Sequence, residues 1–438
     1  MPVCHDPPDD QVCPSPDAAP SHADAPRIVI FSASVGAGHD GAAAEIAQRL
    51  GASGFRVDRH DFVDLLPAHT GKLLRGAYHR LLTVAPSGYQ RIYTTTERAD
   101  RIGPILRALL RSAERRTLRA LPSDTRAIVS TYHGASQVLG ALRLRGDLTV
   151  PAVTYLTDFS VHPLWVASGI DVHLAAHAVP AGQARAQGAT VVAVTGPVVS
   201  PLFTPATPAE RHAARFRFGL PERAPLALIV AGSWGVGPVR EAAAEVLNSG
   251  VAVPVVVCGR NQSLADRMRR EGIEHAYGWV KDMPGLMQAC DVLVQNAGGL
   301  TCLEAFASGL PVASYRCIPG HGQANAAALE EAGLAAWIRG ADQLKPVLTE
   351  LLDGPLGRRQ RAEGLALYGT RRDLVQAVAS TAADGVATAP ARTVRRPVRR
   401  RITILAAAVT ATACLGIGAP HLENYADSFT HMVGGHLR

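Results

Sequence analysis

The sequence predicts an α/β protein of two doubly wound parallel-sheet units in tandem, with a cleft between them and a C-terminal apolar helix. Three observations predict it. Short buried-strand runs alternate with helix-length stretches along most of the chain. One Pro-punctuated segment interrupts this series, and a second series of the same kind follows it. Near the end lies a charge-free run long enough for a membrane helix.

In chain order, residues 1–26 are rich in Pro, Asp and Ala and read as a disordered leader. Asp and Pro stand where a signal peptide needs positive charge and an apolar core, so secretion by that route is not expected. The first unit, 27–203, takes its strands from RIVIFSA, FRVDRH, AIVSTY, AVTYLT, VHLAAH and TVVAVTG. Helices are expected from about Asp40 and over 72–85, 101–121 and 134–145. Residues 204–224 form the connector. The second unit, 225–382, takes strands from LALIVAG, VPVVVCG, HAYGWV, DVLVQN and LPVASY, each followed by a helix. Two Rossmann-like units of this kind hold ligands at the carboxyl ends of their strands.

A basic linker (383–401), the apolar run 402–419 and a tail (420–438) complete the chain. The formal charge of +7 first points to nucleic acid or anionic lipid. Six Arg fall within 392–401, however, so the two-unit body is close to neutral and nucleic acid is not expected as a partner. The 18 residues of 402–419 reach about 27 Å as a helix, enough for a bilayer core. With the Arg cluster on its N-terminal side it reads as a single-pass anchor, holding both units at the cytoplasmic face of the plasma membrane. The seven Cys are dispersed without zinc spacing, which fits reduced thiols.

Four segments carry candidate chemistry. Gly36, Gly38 and Gly41 form GxGxxG after the first strand, with Asp58 or Asp61 about twenty residues on. That spacing fits a dinucleotide fingerprint, a tight turn, or a loop that projects His39 into the cleft. Asp158, in TDFSVHPLW, ends an apolar strand and reads as a catalytic carboxylate or a helix cap, with His162 and Trp165 architectural. Gly232, Ser233 and Gly235 form a glycine loop without the Lys-Ser/Thr pair of an ATP-hydrolysing loop. GWVKDMP and NAGGLTCLEA bring Val280, then Gly298 and Gly299 opening a helix, with Glu304 one turn in; Gln323 and Asn325 follow in PGHGQAN.

In this order, these segments and TGPVVSPLF resemble the family 28 glycosyltransferases. The chain is similar to bacterial relatives of monogalactosyldiacylglycerol synthase and, more distantly, to the N-acetylglucosaminyltransferase of lipid II assembly. The resemblance runs from about residue 27 to 380. It implies a GT-B fold, a UDP-sugar donor in the second unit and an amphiphilic acceptor at the first. It also implies Val280 by the uracil, Gly299, Leu300 and Thr301 along the diphosphate, Glu304 on the ribose, Ser233 near the diphosphate, and Gln323 and Asn325 toward the sugar. Galactolipid-type members have PGQEEGN where this chain has Pro319–Asn325, so no particular hexose is implied. The family's GGGH is here Gly36-Ala37-Gly38-His39.

The expected reaction is inverting transfer of a hexosyl group from a UDP-sugar to a membrane lipid or lipid-linked acceptor. His39 or Asp158 is the base, or Asp158 orients His39. The chain has no DxD motif, and neither a cofactor nor a metal is expected. Residues 65–93 mix Leu, Tyr and basic side chains and read as a membrane-facing patch or an ordinary core helix. The rival readings are a nucleotide-sugar epimerase of similar fold, a flavin or NAD oxidoreductase, and a non-catalytic membrane-tethered UDP-sugar-binding protein.

Overall fold

In a computed structural model, residues 25–67, 70–98, 104–369 and 373–384 are described. Most of the expected leader, most of the basic linker, the apolar run 402–419 and the tail lie outside them. Among the described residues no helix is long and apolar enough to cross a membrane.

The first unit opens with β1 (Arg27–Ser32), α1 (Ala37–Ala52) and β2 (Arg56–Asp61). Three consecutive helices follow, α2 (Thr70–Val84), α3 (Pro86–Arg98) and α4 (Pro104–Arg119). Then come β3 (Thr125–Ser130), α5 (His133–Leu144), β4 (Ala152–Tyr155), β5 (Val172–Ala175), α6 (Ala178–Ala186) and β6 (Val192–Val194). The second unit begins after α7 (Pro208–Arg217), with β7 (Leu226–Val230), α8 (Val239–Ser249), β8 (Val253–Val257), α9 (Gln262–Arg270) and β9 (His275–Tyr277). It continues through α10 (Met283–Ala289), β10 (Val292–Gln295), α11 (Leu300–Ala307), β11 (Val312–Tyr315), α12 (His321–Glu331) and β12 (Ala335–Ile338). The last described elements are α13 (Ala341–Leu352), α14 (Pro355–Ala366) and α15 (Leu374–Asp384).

Both sheets are parallel and six-stranded, in the orders β2-β1-β3-β4-β5-β6 and β12-β11-β10-β7-β8-β9. In each, the chain reverses its direction of travel across the sheet once, between β1 and β3 and between β7 and β10. The strand-end loops diverge there and leave a crevice. The segments carrying His39, Ser233 and Gly299 therefore all follow strands that border a crevice.

Several elements differ from the sequence reading. Helix α1 begins at Ala37 rather than Asp40, because extended Gly36 is its N-cap and Asp40 in its first turn suits the helix dipole. His39 thus stands on a helix, not in a loop. The 204–224 connector is not irregular throughout: Thr207 and Glu210 form a reciprocal capping box with Pro208 behind it, and this starts α7. The boundary at 382 also needs correction. Leu374, Val378 and Ala382, one turn apart, bury themselves with Ile28, Ile30, Ala127 and Val129 on the first sheet. Helix α15 therefore returns to the first unit and straps the two together.

Leu374 is only 2% exposed, so its truncation leaves a cavity under the first sheet. Leu374→Ala is expected to lower stability by about 3 kcal/mol. Urea unfolding followed by circular dichroism measures this; a loss below a third of that value means α15 does not belong to the core.

Candidate active site

The end of β1 is held by side chains of the neighbouring strand. Asp61 accepts from the Ser34 hydroxyl and from the Ser34 and Val63 backbone N–H groups. The Ser32 hydroxyl donates to Asp40 at 2.6 Å. These bonds fix the first turn of α1 and with it His39. Its Nδ1 lies 2.9 Å from the Thr131 carbonyl oxygen and 3.0 Å from the Thr157 hydroxyl. A carbonyl only accepts, so Nδ1 carries the proton and the lone pair of the neutral ring sits on Nε2. Tyr132 and Trp165 wall the ring at centroid distances of 5.4 and 5.9 Å.

Asp158 follows β4 and accepts from the indole N–H of the buried Trp165 at 3.0 Å. It does not orient His39; Thr131 and Thr157 do. His162 caps the short turn before Trp165, accepting from the Leu164 backbone N–H at 3.2 Å. Of the three fingerprint glycines, Gly41 has a packing role that the dinucleotide reading did not foresee. A Cβ on Gly41 would fall 2.5 Å from the Leu300 Cδ2, so this glycine admits a side chain of the second unit. Asp58 is paired with Arg27, and Asp61 is occupied as described. Neither acid is free to meet a ribose.

In the second unit, Gly232, Ser233 and Gly235 form the turn after β7, with the Ser233 carbonyl accepting from the Arg260 backbone N–H at 2.9 Å. Val280 is half-buried against the core, while Trp279 beside it is 54% exposed under the Arg260 guanidinium. Gly298, after β10, has φ +71°, and a Cβ there would meet Asn325 at 2.5 Å. Only glycine fits that position. Gly299 faces open space and caps α11 without a side-chain bond, so the N–H groups of Leu300 and Thr301 head an uncapped helix. The carboxylate of Glu304, one turn on, has no hydrogen bond or ion pair among the described residues, while its backbone carbonyl accepts from Ser308. Burial raises its carboxyl to about 7.

The two residues expected toward the sugar part company. Asn325 is fully buried: its Oδ1 accepts from the Ser160 N–H at 2.7 Å and its Nδ2 donates to the Ala297 carbonyl at 2.9 Å. Both ends of the amide are committed to protein, so it joins the units instead of facing an open site. Gln323 is exposed and lines a groove of about 360 Å³ with Arg316, Trp337 and Arg339, beyond β11 and β12.

Sequence reasoning missed several residues at the seam. Tyr89 on α3 bonds His321 Nδ1 at 2.9 Å, and Leu82 and Tyr89 pack on Val236 and Ile318. Burial lowers the His321 imidazole, opposed by Asp158. His133 is pushed down to about 3 by burial and the neighbouring His39 and His162. The only available signal was position: Thr131, His133 and Thr157 stand just past the ends of β3 and β4. Among the described residues no group of His, Cys, Asp and Glu is placed to hold a metal ion.

Residues 39–199 match the family described as monogalactosyldiacylglycerol (MGDG) synthase, and residues 232–352 match glycosyl transferases group 1. A processive diacylglycerol beta-glucosyltransferase of Bacillus pumilus is 31% identical over 211 residues, covering 46% of this chain and 55% of the relative. The protein of the same name from Bacillus subtilis is 27% identical over 223 residues, covering 49% and 58%. The chain thus spans little more than half the length of these curated relatives. Among solved structures, MurG of Acinetobacter baumannii superposes with a TM-score of 0.50 at 16% identity, over 82% of this chain and 99% of that one. UGT71G1 of Medicago truncatula, solved with UDP-glucose, gives 0.52 at 12% identity, over 83% and 99%. The two family matches thus fall one on each unit, and the chain shares the fold of two parallel-sheet units, the GT-B architecture, with these structures.

Proposed function

We propose that the protein is an inverting glycosyltransferase that moves a hexosyl group from a UDP-sugar to a membrane lipid or lipid-linked acceptor. The observation that carries this reading is His39. Its Nδ1 is tied to the Thr131 carbonyl, its Nε2 has no hydrogen-bond partner among the described residues, and its helix abuts Leu300 at the head of α11. In the proposed step His39 Nε2 takes the acceptor hydroxyl proton as the acceptor oxygen bonds the anomeric carbon. The bond from that carbon to the diphosphate oxygen breaks on the opposite side, and UDP leaves with the electron pair. The N–H groups of Leu300 and Thr301, with the 232–235 turn, would face the leaving diphosphate. Glu304 would accept the ribose hydroxyls, which supplies partners its carboxylate lacks. Val280 would border the uracil. The named activity of the Bacillus relatives supports a lipid acceptor and a hexosyl donor.

A panel of UDP-sugars incubated with diacylglycerol in mixed micelles tests the reading, with UDP release and the mass of the lipid product as readouts. Acceptor-dependent UDP release with a hexosylated lipid is expected. UDP and a changed free sugar without acceptor would point to an epimerase and sink the proposal. Binding of a UDP-sugar with no turnover on any lipid would leave only a binding protein.

His39→Ala is expected to slow transfer by about 10²–10⁴-fold while the Kd for UDP stays within about twofold. Asp158→Asn, whose amide oxygen still accepts from Trp165, is expected to cost about tenfold or less. Single-turnover rates measure both, and the opposite ranking would make Asp158 the base.

Glu304 gives a pH prediction. Its carboxyl is raised, so the ionised form is present above about pH 7 and is lost as pH falls through that value. Ribose hydroxyls bond the ionised form better. Affinity for UDP-glucose, whose diphosphate does not titrate here, should fall between pH 8 and 6, with a flat profile in Glu304→Gln. Calorimetric Kd values across that range check it; a flat wild-type profile contradicts the ribose assignment.

A further inference from the structure

The peptide between Thr131 and Tyr132 is held on both sides. Its carbonyl faces His39, 2.9 Å from Nδ1. A trans peptide points its N–H away from its C=O, and here the Tyr132 N–H donates to the Ser130 hydroxyl oxygen at 3.3 Å. Ser130, the last residue of β3, in turn donates to the Tyr132 carbonyl at 2.8 Å. It also accepts from the Ser136 hydroxyl at 2.9 Å, and Ser136 accepts from Thr154 at 2.8 Å. Each hydroxyl has one proton to give, so the chain runs in one direction, from Thr154 on β4 through Ser136 on α5 to the turn after β3. Ser130, Thr131, Ser136 and Thr154 have no exposure to water, so bulk solvent does not replace a hydroxyl lost here.

The second partner of His39 does not choose its tautomer. The Thr157 hydroxyl, 3.0 Å from Nδ1, accepts from a protonated nitrogen or donates to an unprotonated one. The Thr131 carbonyl can only accept, and so it decides. Residue 131 itself is fixed by its N–H on the Phe31 carbonyl at 3.0 Å and by its hydroxyl on the His39 carbonyl at 3.1 Å. The peptide that follows it depends on Ser130. If that peptide turned over, its N–H would face Nδ1 and the ring proton would move to Nε2. The nitrogen that takes the acceptor proton in the proposed step would then have no lone pair.

We propose that Ser130 is a positioning residue for glycosyl transfer: by holding the Tyr132 N–H it keeps the Thr131 carbonyl on His39 and the lone pair on Nε2. This rests on the reading of His39 as the base. Ser130 touches neither donor nor acceptor, and it acts through one peptide plane.

The test reads the tautomer directly and needs neither donor nor turnover. Nitrogen-15 spectra are taken of the full chain labelled at histidine, under mildly alkaline conditions, with His39→Gln to identify the His39 signals. Wild type should carry the ring proton on Nδ1. Ser130→Ala should move at least about half of the population to the Nε2–H form and slow single-turnover transfer by about tenfold, with the Kd for UDP within about twofold. Ser130→Cys, of similar shape but a weak acceptor, should fall between the two, and it serves where the alanine variant does not fold. Ser136→Ala removes a hydroxyl of the same buried chain but leaves Ser130 on the Tyr132 N–H. It should lower the thermal midpoint and keep the wild-type tautomer. A wild-type ring protonated on Nε2, an unchanged tautomer in the folded Ser130 variants, or an equal change in Ser136→Ala overturns the proposal. Absence of lipid transfer by wild type counts against the transferase reading alone, because the tautomer is read without it.

Discussion

The buried amide of Asn325 is the interaction on which the arrangement of the site depends. It accepts from the Ser160 backbone of the first unit and donates to the Ala297 carbonyl of the second. With no exposure to water, each of these bonds leaves an unsatisfied group behind if broken, at about 1–3 kcal/mol apiece. The amide therefore holds the loop after β4 against the loop after β10. Asp158 lies two residues before Ser160, and Gly298 lies one residue after Ala297. A side chain on Gly298 would strike Asn325 itself. The same contact thus sets the relative position of the first-unit groups and the head of α11.

The remaining seam contacts extend that constraint outward. Leu300 enters the space left by Gly41, and on the other flank Tyr89 reaches His321 while Leu82 packs on Val236 and Ile318. Behind the sheets, α15 ties the end of the second unit to the core of the first. Rotation of one unit against the other must break some of these contacts together. Apolar packing at Leu300 and Leu82 costs less to part than the buried amide at Asn325, so the flanks are the softer side of the seam.

What could be read from the sequence followed period and position. The strands were legible because apolar runs between helical stretches have few alternatives, and the strand-end loops because parallel sheets put function there. Helix α15 was not legible as part of the first unit. Its Leu374, Val378 and Ala382 spacing announces a buried face but not which sheet buries it. The glycines at 36, 38 and 41 were ambiguous for a related reason: a missing side chain admits a phosphate or a neighbouring leucine equally well, and only the fold says which. Asn325 was read as facing the sugar because an amide near a glycine loop serves equally as ligand or strut, and the structure shows both ends of its amide bonded to protein. Its burial decides.

Burial also sorts the titratable groups around the crevice into distinct chemical roles. Desolvation disfavours charge, so it depresses the imidazoles of His133, His162 and His321 and raises the carboxyl of Glu304. His162 and His321 are engaged in hydrogen bonds with Leu164 and Tyr89, and His133 packs its ring against Tyr132 and Trp165. His39 differs from them through its bonds. The Thr131 carbonyl selects one tautomer of the neutral ring and leaves the lone pair on the other nitrogen. A carboxylate in the same place would present two equivalent oxygens and would need a cation beside it to stay ionised. A neutral imidazole pinned on a backbone carbonyl presents one defined acceptor nitrogen, whereas Asp158 is engaged by the Trp165 indole; that contrast is the ground on which His39 is preferred as the proposed base.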